Sequence, residues 1–178
     1  MKKLLVTTLI VMANICAFTS CTDDDDSHAK ATMTFIGTLT RLNYTLEGSD
    51  EMQTDESSQE NKEAEDVFDY TDFITEAFET LELIGPKSAF EETAKVDVSS
   101  TSYAESVCAA QATEKIQNRL NALSIDDVKA VIFNAHKAVL QQLGFNTAAE
   151  IPFATLSAEF SYYYSTAAND PLVFTKIF

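Results

Sequence analysis

The stretch Ala154-Thr-Leu-Ser-Ala-Glu-Phe-Ser-Tyr-Tyr-Tyr164 decides the fold. Ala154, Leu156, Ala158, Phe160, Tyr162 and Tyr164 occupy even positions, and Thr155, Ser157, Glu159, Ser161, Tyr163 and Ser165 occupy odd ones. Successive side chains of a strand point to opposite faces, so the pattern predicts a strand with one apolar face and one wet face. A one-sided strand suits an antiparallel sheet, because parallel sheets are buried on both faces. A turn at Thr166-Ala-Ala-Asn-Asp170 and a returning strand from Pro171 to Phe178 complete a hairpin. Tyr163, on the wet face between Ser161 and Ser165, is the one candidate ligand contact. Its plain alternative is an exposed β-former whose ring covers neighbouring aliphatic stems.

Upstream of this strand the period changes to helical. Ser124 with Asp127 reads as a helix cap, followed by the stripe Val128, Ile132, Ala135, Val139 and Leu143, with Gly144 closing the helix. Val131, Ile132 and Phe133 are good β formers, so residues 128–133 also admit a strand; the longer helical period favours helix. Ser102 with Glu105 predicts another cap, opening a helix to about Leu123 with Ala109, Ala112, Ile116, Leu120 and Leu123 inward. Ala94, Val96 and Val98 alternate with polar residues as a short strand. Phe73, Ile74, Ala77, Phe78, Leu81 and Ile84 predict a third helix, stopped by Gly85-Pro86. From 31 to 46 the apolar parity slips near Thr40 and Arg41, which predicts either a bulged strand or a hairpin. The expected fold is α+β, an antiparallel sheet of about four strands with about three helices packed on one face.

The 178 residues carry a formal charge of -16. Much of it is local: from Glu47 to Asp72, eleven acids face one Lys. Large apolar side chains are scarce between Gly48 and Asn61, so an acidic mobile insert is expected at about 47–68 within a single domain spanning 31–178. Four carboxylates also stand together at Asp23, Asp24, Asp25 and Asp26. With these two runs set aside the remainder is close to balanced, so the acidity speaks of solvation and not of a cationic ligand. It also disfavours a basic groove for nucleic acid.

Chemical motifs are sparse. Gly37, Gly48, Gly85 and Gly144 are too far apart for a phosphate-binding loop or a nucleophile elbow. His136 is the one histidine in the expected domain, and it reads as a structural residue flanking a helical stripe. Cys108, in an Ala-rich helix, reads as a small buried hydrophobe, and no zinc spacing surrounds it. Neither acidic run has the ordered spacing of a calcium loop. No metal or cofactor is expected.

The N-terminus carries an address. Lys2 and Lys3 precede an uncharged run from Leu4 to Phe18, shorter than the roughly 20 apolar residues that span a bilayer. The run ends in Phe18-Thr19-Ser20-Cys21, which resembles the lipobox of bacterial lipoproteins, and Asp23 to Asp26 resemble the surface-export signal of Bacteroidetes lipoproteins. The resemblance covers residues 1–27. It implies a signal peptide over 1–20, lipid on Cys21, an acidic tether over 21–30, and an outer-membrane protein facing the cell exterior with no transmembrane span. A single acyl chain holds a protein only marginally and two hold it stably, so the multi-chain anchor of a lipoprotein implies firm attachment.

The expected function is a lipid-anchored cell-surface binding or interaction module whose partner is a surface protein or glycan. One alternative is a secreted hydrolase, for example glycan-active, whose carboxylate pair is assembled only in the fold. Another is a structural subunit of a surface complex that docks through an exposed strand edge.

Overall fold

The computed structural model describes residues 28–48, 53–54, 68–164 and 170–178. It is an α+β fold built on one antiparallel sheet of five strands, one of them only two residues long. The elements in chain order are β1 (Ala29–Leu46), β2 (Gln53–Thr54), α1 (Thr71–Thr80), β3 (Phe90–Val96), α2 (Thr101–Asn121), α3 (Ile125–Gln142), β4 (Phe153–Tyr164) and β5 (Leu172–Ile177). The sheet runs β2-β1-β4-β5, and β3 pairs with the N-terminal half of β1 on the edge that β2 pairs with further along.

The parity slip in β1 is a bulge and not a turn. The register against β4 shifts between Leu39 and Arg41, so Met33 and Phe35 before it and Leu42 and Tyr44 after it are all buried on one face. In β4 the same face carries Leu156, Ala158, Phe160 and Tyr162, all buried. α2 lies on β1 and β3. α1 reaches the sheet through Phe78, whose ring stands edge-on to Phe160 at 5.2 Å. α3 packs against α1 and against the short turn Ala148–Glu150. Each such fully buried Phe, Leu or Ile contributes about 1.5–3 kcal/mol of transfer free energy, which is why the helices gather on this face.

Several boundaries differ from the sequence expectation. The cap of α2 is Ser100, whose hydroxyl accepts from the Tyr103 amide, and the buried stripe is Ala104, Cys108, Ala112, Ile116 and Leu120. Ser102 and Glu105 are not its cap. The cap of α3 is the expected one, with Ser124 and Asp127 exchanging hydrogen bonds, and residues 128–133 are helical. Its later stripe differs, because the chain leaves helical geometry at His136 and the kink brings Leu140 inward while Val139 and Leu143 stay exposed. β3 begins at Phe90 and stops at Val96, leaving the Val98 side chain exposed while its carbonyl accepts from the Ala29 amide. Phe153, and not Ala154, faces the core, where the register against β1 shifts again. Of the expected acidic insert, 49–52 and 55–67 lie outside the described residues, as do Ser165 and residues 166–169 of the expected turn.

α1 stops five residues before Gly85. Leu83 N–H bonds back to Phe78 C=O and Glu82 N–H to Glu79 C=O, a Schellman closure with Glu82 in the left-handed position (φ 56°). Glycine is the usual residue there; here Glu82 is held by Arg119 Nη2 at 2.7 Å. The reversal sends Leu83 to Ser88 across Gly37, where Gly85 N–H donates to Gly37 C=O and Gly37 N–H donates to Ser88 Oγ. The middle of the β1 edge is thereby closed without a strand.

Candidate functional site

The sheet face opposite the helices is uncovered among the described residues. Its composition follows from the alternation: wherever one residue faces the core, its neighbours face outward. β1 presents Thr32, Thr34, Ile36 and Thr38, β4 presents Thr155, Ser157, Glu159, Ser161 and Tyr163, and β5 presents Val173, Thr175 and Ile177.

Most hydroxyls on this face are engaged across strands. Thr32 and Thr93 hydroxyls meet at 2.9 Å, and Thr45 and Thr155 at 2.7 Å. Thr38 donates to the Ser161 carbonyl at 3.1 Å, and Thr40 donates to both the Glu159 carbonyl and its carboxylate at 3.0 Å. Cross-strand pairs of this kind hold register and sheet rigidity. Set in this field is an apolar island. Ile36 is the direct cross-strand partner of Tyr163, and Val173, opposite Ser161, lies one diagonal step away. Tyr163 is 52% exposed and Val173 55%. Contact with exposed side chains on a rigid backbone orders little that was mobile.

Tyr163, the candidate from sequence, lies on this open face. Ile36 and Val173 were missed, though a signal existed: Ile36 is an isolated apolar residue among Thr32, Thr34 and Thr38 on one parity. Cys21 and Asp23 to Asp26 lie outside the described residues.

The other chemistry-bearing groups are engaged in local contacts. Cys108 is fully buried, its thiol directed at the Ala31 and Glu92 carbonyls, and burial pushes its pKa up, so it has little thiolate character. The His136 ring stacks on Phe73 at 3.8 Å and 4°, and its Nε2 lies 3.1 Å from a Glu76 carboxylate oxygen, out of line for a hydrogen bond. The contact ties α3 to α1 at the kink. Tyr44 accepts from the Tyr70 amide and donates to Asp69 at 3.0 Å. Burial pulls the Asp69 carboxyl upward, but hydrogen bonds from the Thr71 amide, the Thr71 hydroxyl and Tyr44 outweigh it and leave the pKa below the ordinary carboxylate value. Burial raises the phenols of Tyr44, Tyr70 and Tyr162, and Arg119 partly counters this at Tyr162.

The surface grooves among the described residues include two open ones. One, of about 310 Å³, is lined by Glu76, Glu79, Thr80, Ile84, Pro86 and Lys87. The other, of about 380 Å³, lies between Met33, Tyr164 and the start of α2. Glu76 and Glu79 project from one helix and do not face each other across a cleft. Among the described residues no group of three acid, His or Cys side chains is placed to hold a metal ion, and no helix is long and apolar enough to cross a membrane. No protein-family model, curated protein or solved structure matches the chain.

Proposed function

We propose that the protein is a lipid-anchored surface protein of a Bacteroidetes-like bacterium whose α+β domain is a binding module, working through the open face of its sheet. The observation that carries the binding reading is the island of Ile36, Tyr163 and Val173 on a rigid, hydroxyl-lined sheet face. The anchor rests on Phe18-Thr19-Ser20-Cys21 and the four aspartates that follow. β1 starts at Ala29, eight residues after Cys21, so the tether is short and the domain would be held close to the membrane. Eight extended residues reach about 28 Å at most.

The hydrolase reading has less support, since the two grooves are open and the acids lining one of them share a single helix. The ligand class consistent with the face is a surface protein or a glycan, either of which uses a flat aromatic ring with flanking polar groups.

Metabolic labelling with a palmitate analogue tests the anchor: label is expected on the wild-type chain and not on Cys21→Ala, and label surviving that substitution overturns the lipid claim. Protease shaving of whole cells tests exposure, the domain being expected to disappear from intact cells. For the face, a glycan array and a cell-surface cross-linking screen with wild type are each repeated with Tyr163→Ala. Binding that is unchanged in the variant rejects the face as the binding surface.

A further inference from the structure

We infer that β5 is a docking edge for a second copy of this chain, paired antiparallel about Val173. The inference stands on the strand edge and does not need the anchor; it shares Val173 with the open-face island.

Phe178 N–H donates to the Leu156 carbonyl, in the register that pairs Ile177 with Ser157. Backbone bonds in an antiparallel pair alternate, so Leu172, Phe174 and Lys176 direct their amides and carbonyls toward β4. Val173, Thr175 and Ile177 direct theirs outward, where nothing pairs with them among the described residues. All three are β-branched, and their side chains are exposed.

Sheet edges are ordinarily blunted by charge, by proline or by a covering loop. Two other edge segments of this sheet follow that rule. β3 carries Glu91, Glu92 and Lys95, and the middle of β1 is closed by the turn from Gly85 to Ser88. On β5 the one charged residue is Lys176, whose side chain lies on the helix side with its Nζ 5.6 Å from the centre of the Phe178 ring. The outward residues carry no charge.

The occupant follows from the charge pattern. Asp170 and Lys176 lie three residues to either side of Val173. A second copy running antiparallel about a two-fold axis at Val173 sets Asp170 of one chain opposite Lys176 of the other, and does so twice. Thr175 then meets Pro171 of the second copy, which still offers its carbonyl. A pairing centred on Thr175 sets each Lys176 opposite Phe174, one centred on Phe174 sets it opposite Leu172, and neither forms an ion pair. Opposite charges directly across strands favour the first register, and in an acidic chain they give a contact that is self-neutralising. On the open face Val173 meets its own copy, so the two apolar islands join across the axis.

The test uses the full chain in density-matched detergent by sedimentation equilibrium, with wild type expected as a dimer. Lys176→Asp is expected to raise the dimer dissociation constant about ten-fold or more, and the double variant Asp170→Lys with Lys176→Asp to restore it. Circular dichroism checks that each variant is folded. Oxidative cross-linking fixes the register: Val173→Cys is expected to link to itself, and Thr175→Cys is not, each read against the background of the wild-type chain. A monomeric wild type, a dimer indifferent to Lys176→Asp, or a cross-link at position 175 in place of 173 each overturns the proposal.

Discussion

Phe160 and Ser161 are neighbours on β4, and both are nearly inaccessible, at 0% and 4%. They reach that state in different ways. Phe160 is covered by Phe78 of α1, which lies far away in the chain. Ser161 belongs to the open face, with the Thr38 hydroxyl bonded to its carbonyl. One face of the sheet is therefore held by long-range apolar packing, and the other by short cross-strand hydroxyl bonds around a small apolar island. Stability resides on the first, and the proposed binding surface is the second.

The largest test of that division is Phe160→Ala. Truncating a fully buried phenylalanine loses transfer free energy and leaves a cavity, a combined cost of about 3–5 kcal/mol. Urea denaturation should show the loss in the midpoint. If Phe160→Ala costs less than about 1 kcal/mol, the helix-covered face is not the seat of stability.

Gly37→Ala comes next, with an expected cost of about 3 kcal/mol. A Cβ on Gly37 meets the Leu83 carbonyl oxygen and, at 2.9 Å, the Tyr162 ring. Neither can retreat easily, because the Tyr162 hydroxyl donates to that same carbonyl at 3.0 Å and both groups are buried. Gly48→Ala has open space around its Cβ and only the cost of a left-handed backbone (φ 84°), so it is the control. Equal effects at the two glycines would show that the crossing of Leu83 over Gly37 is not closely packed.

The two faces were unequally legible in the sequence. The covered face was readable because its even-position run in β4 and the caps at Ser124 and Asp127 are local patterns. The bulge in β1 showed as a parity slip, although a hairpin remained equally compatible until the register was seen. The crossing at Gly37 was not readable. It depends on a Schellman closure with Glu82 in the position where glycine is the usual signal, and the side-chain partner of Glu82, Arg119, lies 37 residues on. The kink at His136 was hidden for the same reason: its ring is set by Phe73 from another helix. Tyr163 could be nominated from parity alone, but its partnership with Ile36 needed the register between β1 and β4.

Acid sharpens the comparison at the margin of the covered face, where Asp69 binds Tyr44. The folded pKa of Asp69 lies below its ordinary value of 3.8, so its contribution to stability is fully present above that value and is lost as pH falls through the folded pKa. Asp69→Asn should therefore be less stable than wild type near neutrality, and the gap should shrink as pH falls below about 4. Thermal melts across a pH series would show it. A gap that is constant or widens toward acid would mean that the Tyr44 contact does not favour the ionised carboxylate.

The smallest expected effect on stability is the most informative about function. Ile36→Thr and Tyr163→Ser place polar β-compatible residues on the open face, and surface changes of this kind ordinarily shift stability by about 0.5 kcal/mol or less. Both side chains are already about half in water, so only part of their transfer free energy is lost, and the bonds from the Thr38 and Thr40 hydroxyls to the β4 carbonyls remain. Binding should respond differently, because the pair is the centre of the exposed apolar island. The two variants should retain the wild-type melting temperature within about 3 °C, consistent with a half-kcal/mol change in a domain of this size, while losing capture of the surface ligand. If instead both variants unfold several degrees earlier with binding intact, the open face is a second structural face, and recognition must be sought at the β5 edge or in the two grooves.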